Sequence, residues 1–252
     1  MADSLAGHLA GLILAAGAGT RLRPLTRERP KALCPVGGVA LVDLAIARVA
    51  PLVGDLAVNV HHGRELLEEH LADRVHVSIE AERALGTAGA VGALREWVAG
   101  RGLVVVNADA WCPGPLDALV DGWDGDRVRV LVVGADELRP RVSIAGSLLP
   151  RTAVEALEAE PSGLYERCWR PAAERGALEV VRHDGPCVDC GTPADYLAAN
   201  LAVSGGVSVI GAGAEIAGVV ERSVVWDGAV VHEGEVLRDA VRTTGGLTVL
   251  VR

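Results

Sequence analysis

The sequence predicts an α/β protein, a mostly parallel β-sheet with helices on both faces, followed by a short repetitive β segment. Three observations carry this. Strand-like runs at 9–15, 55–60, 75–79, 103–106 and 128–133 alternate with stretches of helical periodicity, and that alternation belongs to parallel sheets covered on both sides. From Val207 onward, Ile210 and Ile216 are six residues apart and Val224, Val230 and Val236 repeat that step, with Gly211, Gly218, Gly228 and Gly234 interspersed. Such hexads mark coils of a parallel β-helix. Finally, 252 residues, 50% hydrophobic but without Phe, suit one core of Ala, Val and Leu plus a small appendage. The expected domains are 1–203 and 204–252.

The first strand, Leu9 to Ala15, breaks at Gly17 and Gly19 into a loop carrying Thr20, Arg21 and Arg23. Without Cβ atoms at Gly17 and Gly19, backbone N–H groups can approach an anion closely, and Arg21 adds a guanidinium that takes two oxygens at once. Lys31 supplies a second positive charge. The dinucleotide fingerprint would need glycine at Leu22, and a P-loop would need Gly-Lys-Ser/Thr where Gly19-Thr20-Arg21 stands. The bland alternative is a tight turn with surface arginines.

Ala40 to Val49 has helical spacing, Asp55 to Val60 is the next strand, and His61 and His62 follow in a loop where they are poor joint ligands for one metal. Arg64 to Leu71 reads as a helix and Val75 to Ile79 as a strand. In the loop from Glu80, Gly86 and Gly89 permit close backbone approach, and Thr87 is the expected N-cap of a helix from Ala88 to Trp97. Leu103 to Val106 is the most apolar strand; Asn107 and Asp109 sit at its C-terminal end, where ligands of open parallel sheets gather. After Leu116 to Leu119 (helix) and Val128 to Val133 (strand), only Ala135 to Arg141 precedes the next apolar segment. Helices are expected at Thr152 to Ala159 and Tyr165 to Arg175, and a strand at Leu178 to Val181. Asp189 precedes Gly191-Thr192-Pro193, with Pro193 opening a helix from Ala194 to Ala202.

A net charge of −9 argues against a nucleic-acid backbone as partner. No apolar run reaches the roughly 18 residues of a membrane span, and the N-terminal residues lack signal-peptide character, so a cytoplasmic protein is expected. The five cysteines, Cys34, Cys112, Cys168, Cys187 and Cys190, are odd in number and scattered, which favours free thiols. The Cys187/Cys190 pair has no second CxxC to complete a zinc tetrad.

The string LAAGAGTRLRPLTRERPKAL, with LGTAG at Leu85 to Gly89, VVVNAD at Val104 to Asp109 and VDCGTPADYLAAN at Val188 to Asn200, resembles the sugar-1-phosphate nucleotidylyltransferases, in the family's order. The resemblance implies a Rossmann-like nucleotide-diphospho-sugar transferase fold with a short left-handed β-helix, and condensation of an NTP with a sugar-1-phosphate. Leu14, Ala15, Ala16, Gly17, Gly19, Thr20, Arg21, Gly86, Thr87 and Ala88 would meet the nucleotide. Asp109 and Asp189 would hold Mg²⁺, with Arg21, Lys31 and Asp109 catalytic. Lys31, Asn107, Arg141 and Gly146 would meet the sugar phosphate. Relatives carry a glutamate and a lysine on a hairpin absent here, and Arg139 or Arg141 is the cation at that place. Glu80 or Glu82 would meet the base; a carboxylate only accepts hydrogen bonds, which suits guanine's donors and favours GTP, with mannose-1-phosphate as co-substrate. A UDP-sugar enzyme and a silent nucleotide-sugar sensor are the alternatives. The β-helix segment offers a surface for a homo-oligomer.

Overall fold

The structure is a computed structural model that describes residues 8–251. The chain forms two compact units: one holds the residues up to Gly17, Leu44–Ala108 and Cys112–Cys187, the other Ala18–Asp43, Asp109–Trp111 and the chain from Val188 onward. In this division the loop after Gly17 groups with the C-terminal coils.

The first unit is built on seven strands: β1 (Leu9–Leu14), β2 (Asp55–Val60), β3 (His76–Ile79), β4 (Gly102–Asn107), β5 (Val128–Val133), β6 (Ile144–Leu149) and β7 (Leu178–His183), in the order β7-β5-β6-β4-β1-β2-β3. Every pairing is parallel except those of β6 with β4 and β5. The connection from β5 to β6 is too short for a crossover helix, so the chain must return antiparallel. Helices Arg64–Leu71, Gly86–Ala93, Arg95–Val98 and Asp117–Val120 fill the connections on either side of β3 and after β4. The core joins Leu12, Leu103, Val105, Val130 and Leu149 of the sheet to Val91, Leu94, Val98 and Val154. With no Phe to fill volume, small residues bring the backbones close together.

Several elements differ from expectation. The helix from Ala88 to Trp97 is two short helices. Arg151–Glu155 is shorter than expected, and 165–175 opens as a π-helix at Tyr165–Trp169 before turning α at Arg170–Glu174. Pro171 has no N–H with which to continue the regular ladder. Gly146 lies at a bulge, where the β5 partner shifts between Leu131 and Val132. It is buried, and a Cβ there would meet Val106 and Leu119 at 3.4 Å. Gly146 is therefore packed within the sheet beside the bulge.

Cys112 and Cys187 form a disulfide with a Cα–Cα distance of 4.2 Å, correcting the expectation of five free thiols. They adjoin Trp111 and Val188, which pair as antiparallel strands, so register places them opposite each other across a sequence separation of 75. No local spacing could announce that pairing.

In the second unit, Pro35–Val36 and Val39–Ala40 form a small hairpin, and Ala110–Trp111 pairs with Val188–Asp189. Helix Pro193–Val203 starts at Thr192, whose hydroxyl accepts the Asp195 N–H at 3.2 Å. The coils then stack in parallel: Val209–Ile210 on Val224–Val225 on Ala240–Arg242, Glu215–Ile216 on Val230–Val231, and Val219–Glu221 on Val236–Arg238. Val225, Ala229, Val231, Leu237 and Ala240 fill their interior. Thr248–Leu250 returns antiparallel along Ala240–Arg242.

Burial pushes the thiols of Cys34, Cys168 and Cys190 up to about 12, so they stay protonated and inert at pH 8. Titration with a thiol reagent should find no reactive thiol in the native protein, the three free cysteines on unfolding without reductant, and all five after reduction.

Candidate active site

The second unit concentrates charge around Lys31. This residue opens a 3₁₀ turn, Lys31–Leu33, whose entry is held extended by Pro30, and its side chain is only 8% exposed. Its Nζ donates to Asp109 Oδ2 at 2.9 Å and to Asp189 Oδ1 at 3.0 Å. Burial disfavours the ammonium, yet the Asp109 charge and the two hydrogen bonds outweigh it, and the lysine pKa is raised. Asp189 is partly buried too, but Lys31 and Arg21 hold its carboxyl below the usual range. Arg21 Nη2 lies 3.3 Å from Asp189 Oδ2 and remains 69% exposed. A Cβ on Gly191 would fall 2.9 Å from that guanidinium, so glycine there leaves Arg21 room to lie across the backbone.

Asp109 and Asp189 come together because the strand pair Ala110–Trp111 and Val188–Asp189 places their chains side by side, with the Cys190 N–H donating to the Asp109 carbonyl at 3.0 Å. Among the described residues, no three His, Cys, Asp or Glu side chains form a self-sufficient metal cluster. Two carboxylates with an open outer side suit Mg²⁺, which takes few protein ligands and completes its octahedron with phosphate and water. The donor chemistry of the pair, two half-exposed carboxylates, is compatible with Mg²⁺.

Gly19 caps the Thr20–Leu22 turn at φ 57. A Cβ there would lie 2.9 Å from Thr26 and 3.1 Å from the Lys31 Cβ, so its glycine requirement comes from the left-handed backbone and from the crowding of Thr26 and Lys31. Gly17 and Thr20 are exposed, and nothing lies within 4 Å of the Cβ direction at Gly17.

The first unit carries a buried polar chain at the C-terminal ends of its strands. Asn59, 2% exposed, accepts the Ala15 N–H at 2.8 Å and donates to Glu80 Oε1 at 2.7 Å. Glu80 Oε2 accepts the Leu85 N–H at 2.7 Å, and the Glu80 carbonyl meets His61 Nδ1 at 2.6 Å. His62 Nδ1 meets the Ala16 carbonyl at 3.0 Å, and Leu14 accepts from the Ala108 N–H. Both oxygens of Glu80 thus accept hydrogen bonds within the fold and tie the 80–85 loop to β2. Glu82 is exposed.

The loop at 85–88 rests on the chain at 160–164. Ala88 donates to Ser162 O, and Ser162 donates back to Leu85 O. Thr87 accepts from the Leu164 N–H at 2.8 Å and does not cap the helix, which begins one residue earlier at Gly86. A Cβ at Gly86 or Gly89 would strike the carbonyls of Ser162 or Glu160. Ala88 is fully buried, while Gly86 stays exposed. Asn107 is exposed at the end of β4, opposite Leu14. Arg141 is exposed with φ 69, and Arg139 pairs with Glu137 at 2.8 Å. Sequence reasoning missed Asn59, although a lone amide in the apolar run DLAVNV is the signal of a buried polar group that must find partners.

The description "nucleotidyl transferase" belongs to a protein family whose profile matches residues 10–138, just over half of the chain. The chain belongs to the nucleotidyl transferase family. Among curated relatives of this nucleotidyl transferase, N-acetylmuramate alpha-1-phosphate uridylyltransferase of Caulobacter vibrioides is 38% identical over 135 residues, 48% of this chain and 56% of its own length. Mannose-1-phosphate guanyltransferase of Neurospora crassa is 26% identical over 226 residues, 74% of this chain and 62% of its own. The chain thus spans little more than half the length of these relatives. A solved structure of mannose-1-phosphate geranyltransferase from Thermus thermophilus shares the fold, with TM-score 0.69 at 19% identity over 96% of this chain and 95% of that one. Among the described residues, no helix is long and apolar enough to cross a membrane.

Replacing Asn59 with Ala strands the Ala15 N–H and one Glu80 oxygen in a buried setting. Denaturant unfolding should register a loss of about 2 to 4 kcal/mol, and a loss under about 0.5 kcal/mol would deny the network its structural role.

Proposed function

We propose that this nucleotidyl transferase condenses an NTP with a sugar-1-phosphate to give an NDP-sugar and pyrophosphate. The observation that carries the reading is the Lys31 ammonium held between Asp109 and Asp189. A sugar-1-phosphate oxygen attacks the α-phosphorus, a new P–O bond forms, and the bond to the β-phosphate oxygen breaks. Because the phosphate monoester is already an anionic nucleophile, no serine or histidine base is needed. What the reaction requires is fixed positive charge where phosphates crowd together. Lys31 is buried and held at two points, so it is pre-oriented to offset that charge. Arg21, exposed and held at one point, is suited to the triphosphate, with the backbone at Gly17 and Thr20. Asp109 and Asp189 would hold Mg²⁺, which when bound neutralises phosphate charge.

For the base, the case for GTP rests on a carboxylate free to accept from guanine; the Glu80 oxygens are engaged by Asn59 and Leu85, which leaves the exposed Glu82 for that role. UTP is the second reading, in keeping with the uridylyltransferase relative, and it sets an N-acetylated sugar-1-phosphate beside mannose-1-phosphate as co-substrate. An NTP substrate implies a cytoplasmic setting. Exposed Val207, Ile210, Ile216, Val219 and Val236 on the coils are where a homo-oligomer would form.

Pyrophosphate release, assayed with Mg²⁺ over four NTPs and a panel of mannose-, glucose-, N-acetylglucosamine- and N-acetylmuramic acid-1-phosphates, tests the reading. One productive pair supports it. Silence across the grid by a folded protein that binds a nucleotide sugar would make it a sensor instead. In the active enzyme, Asp109→Ala should abolish Mg²⁺-dependent turnover and Lys31→Ala should lower kcat by about 10²- to 10³-fold. Glu80→Gln should leave the GTP-to-UTP preference unchanged; a reversal would return Glu80 to the base.

A further inference from the structure

Glu28 and Arg29, just ahead of Lys31, are gripped by the C-terminal coils of their own unit. Glu28 takes the Thr243 hydroxyl on Oε1 and the Gly245 N–H on Oε2, the latter at 3.1 Å. Thr243 is fully buried, in a tight turn in which its own N–H donates to Leu247 O and its carbonyl accepts from the Gly246 N–H. A Cβ on Gly245 would lie 2.9 to 3.0 Å from the Glu28 carboxylate, so the turn is shaped around that side chain. Arg29 lies over the Trp226 ring, 4.1 Å from its centroid, and donates to the Thr244 hydroxyl at 3.3 Å.

A second grip lies beyond Lys31. Trp226, 1% exposed, donates its indole N–H to Tyr196 Oη at 3.0 Å, and Tyr196 in turn donates to the Pro35 carbonyl. Asn200 accepts the Gly37 N–H at 3.0 Å. Trp226 therefore serves both grips, stacking under Arg29 on one side and orienting Tyr196 on the other. Lys31 sits on the short span between them, residues 30–34, and that span is closed by its own 3₁₀ hydrogen bonds, Leu33 N–H to Pro30 O and Cys34 N–H to Lys31 O. A buried ammonium that must reach two carboxylates tolerates little drift of its backbone.

We propose that Glu28, Trp226 and the Thr243–Gly245 turn are positioning residues for the transfer reaction: the short β-helix acts as a latch that sets the Lys31 backbone. The coils then serve catalysis from a distance, without an active site of their own. The catalytic arm of this inference rests on the nucleotidyl-transfer reading; the structural arm does not.

The test uses Glu28→Ala in the full-length chain, with Arg238→Ala as control. Arg238 pairs with Glu221 at 2.7 Å on the exposed surface of the same coils. Glu28 is itself exposed, so its truncation leaves no cavity. Hydrogen–deuterium exchange over Lys31 to Cys34 should rise about tenfold in Glu28→Ala and stay unchanged in Arg238→Ala. Unchanged exchange in Glu28→Ala overturns the latch whether or not the parent turns over. In kinetics, Glu28→Ala should lower kcat about tenfold with the NTP KM held within about twofold, and should cost less than about twofold more in a Lys31→Ala background. An equal loss in both backgrounds would mean that Glu28 does not act through Lys31. A parent silent on every substrate pair would sink the nucleotidyl-transfer reading alone, leaving the exchange result to decide the latch.

Discussion

A buried lysine held between two aspartates imposes more on this molecule than any other interaction in it. An ammonium with 8% exposure is tolerable only because Asp109 and Asp189 approach within 3.0 Å and more than offset the loss of water. Those aspartates are distant in sequence and meet only because Ala110–Trp111 and Val188–Asp189 pair as strands. The lysine backbone must in turn be fixed, and the C-terminal coils and the helix Pro193–Val203 hold the chain on both sides of it. This explains why the loop after Gly17, the two aspartates and the β-helix form one compact unit.

The first unit answers a different demand. Its sheet ends in polar loops, and Asn59 converts them into one connected structure by bridging Ala15 and Glu80. Burying an amide and a carboxylate together is acceptable because their contacts with Ala15, Leu85 and each other are complementary, donor to acceptor. The consequence for the fold is that Glu80 shapes the 80–85 loop. The glycines at 86 and 89 follow the same logic, since the carbonyls of Ser162 and Glu160 occupy the space where side chains would stand.

Phosphate chemistry of the proposed kind needs little from a protein besides position and charge. Lys31 and Arg21 differ usefully in this respect: one is buried and held at two points, the other exposed and touching Asp189 at 3.3 Å. A rigid cation suits the crowded reacting centre, and a freer one suits capture of a triphosphate.

By itself, the sequence determined the fold class, the positions of most strands, the coil pattern after Val207 and the family, because periodicity and contiguous motifs are local properties. It also named Lys31, Asp109, Asp189 and Arg21, since the charged residues of a signature are visible in one dimension. Tertiary structure alone decided what those residues touch. It occupied the Glu80 carboxylate, buried Ala88 and Gly146, turned Thr87 toward Leu164, joined Cys112 to Cys187 and carried the β-helix to Glu28. Most of these depend on which distant segments become neighbours, and a hydrogen bond or a disulfide spanning 75 residues or more leaves no trace in local spacing.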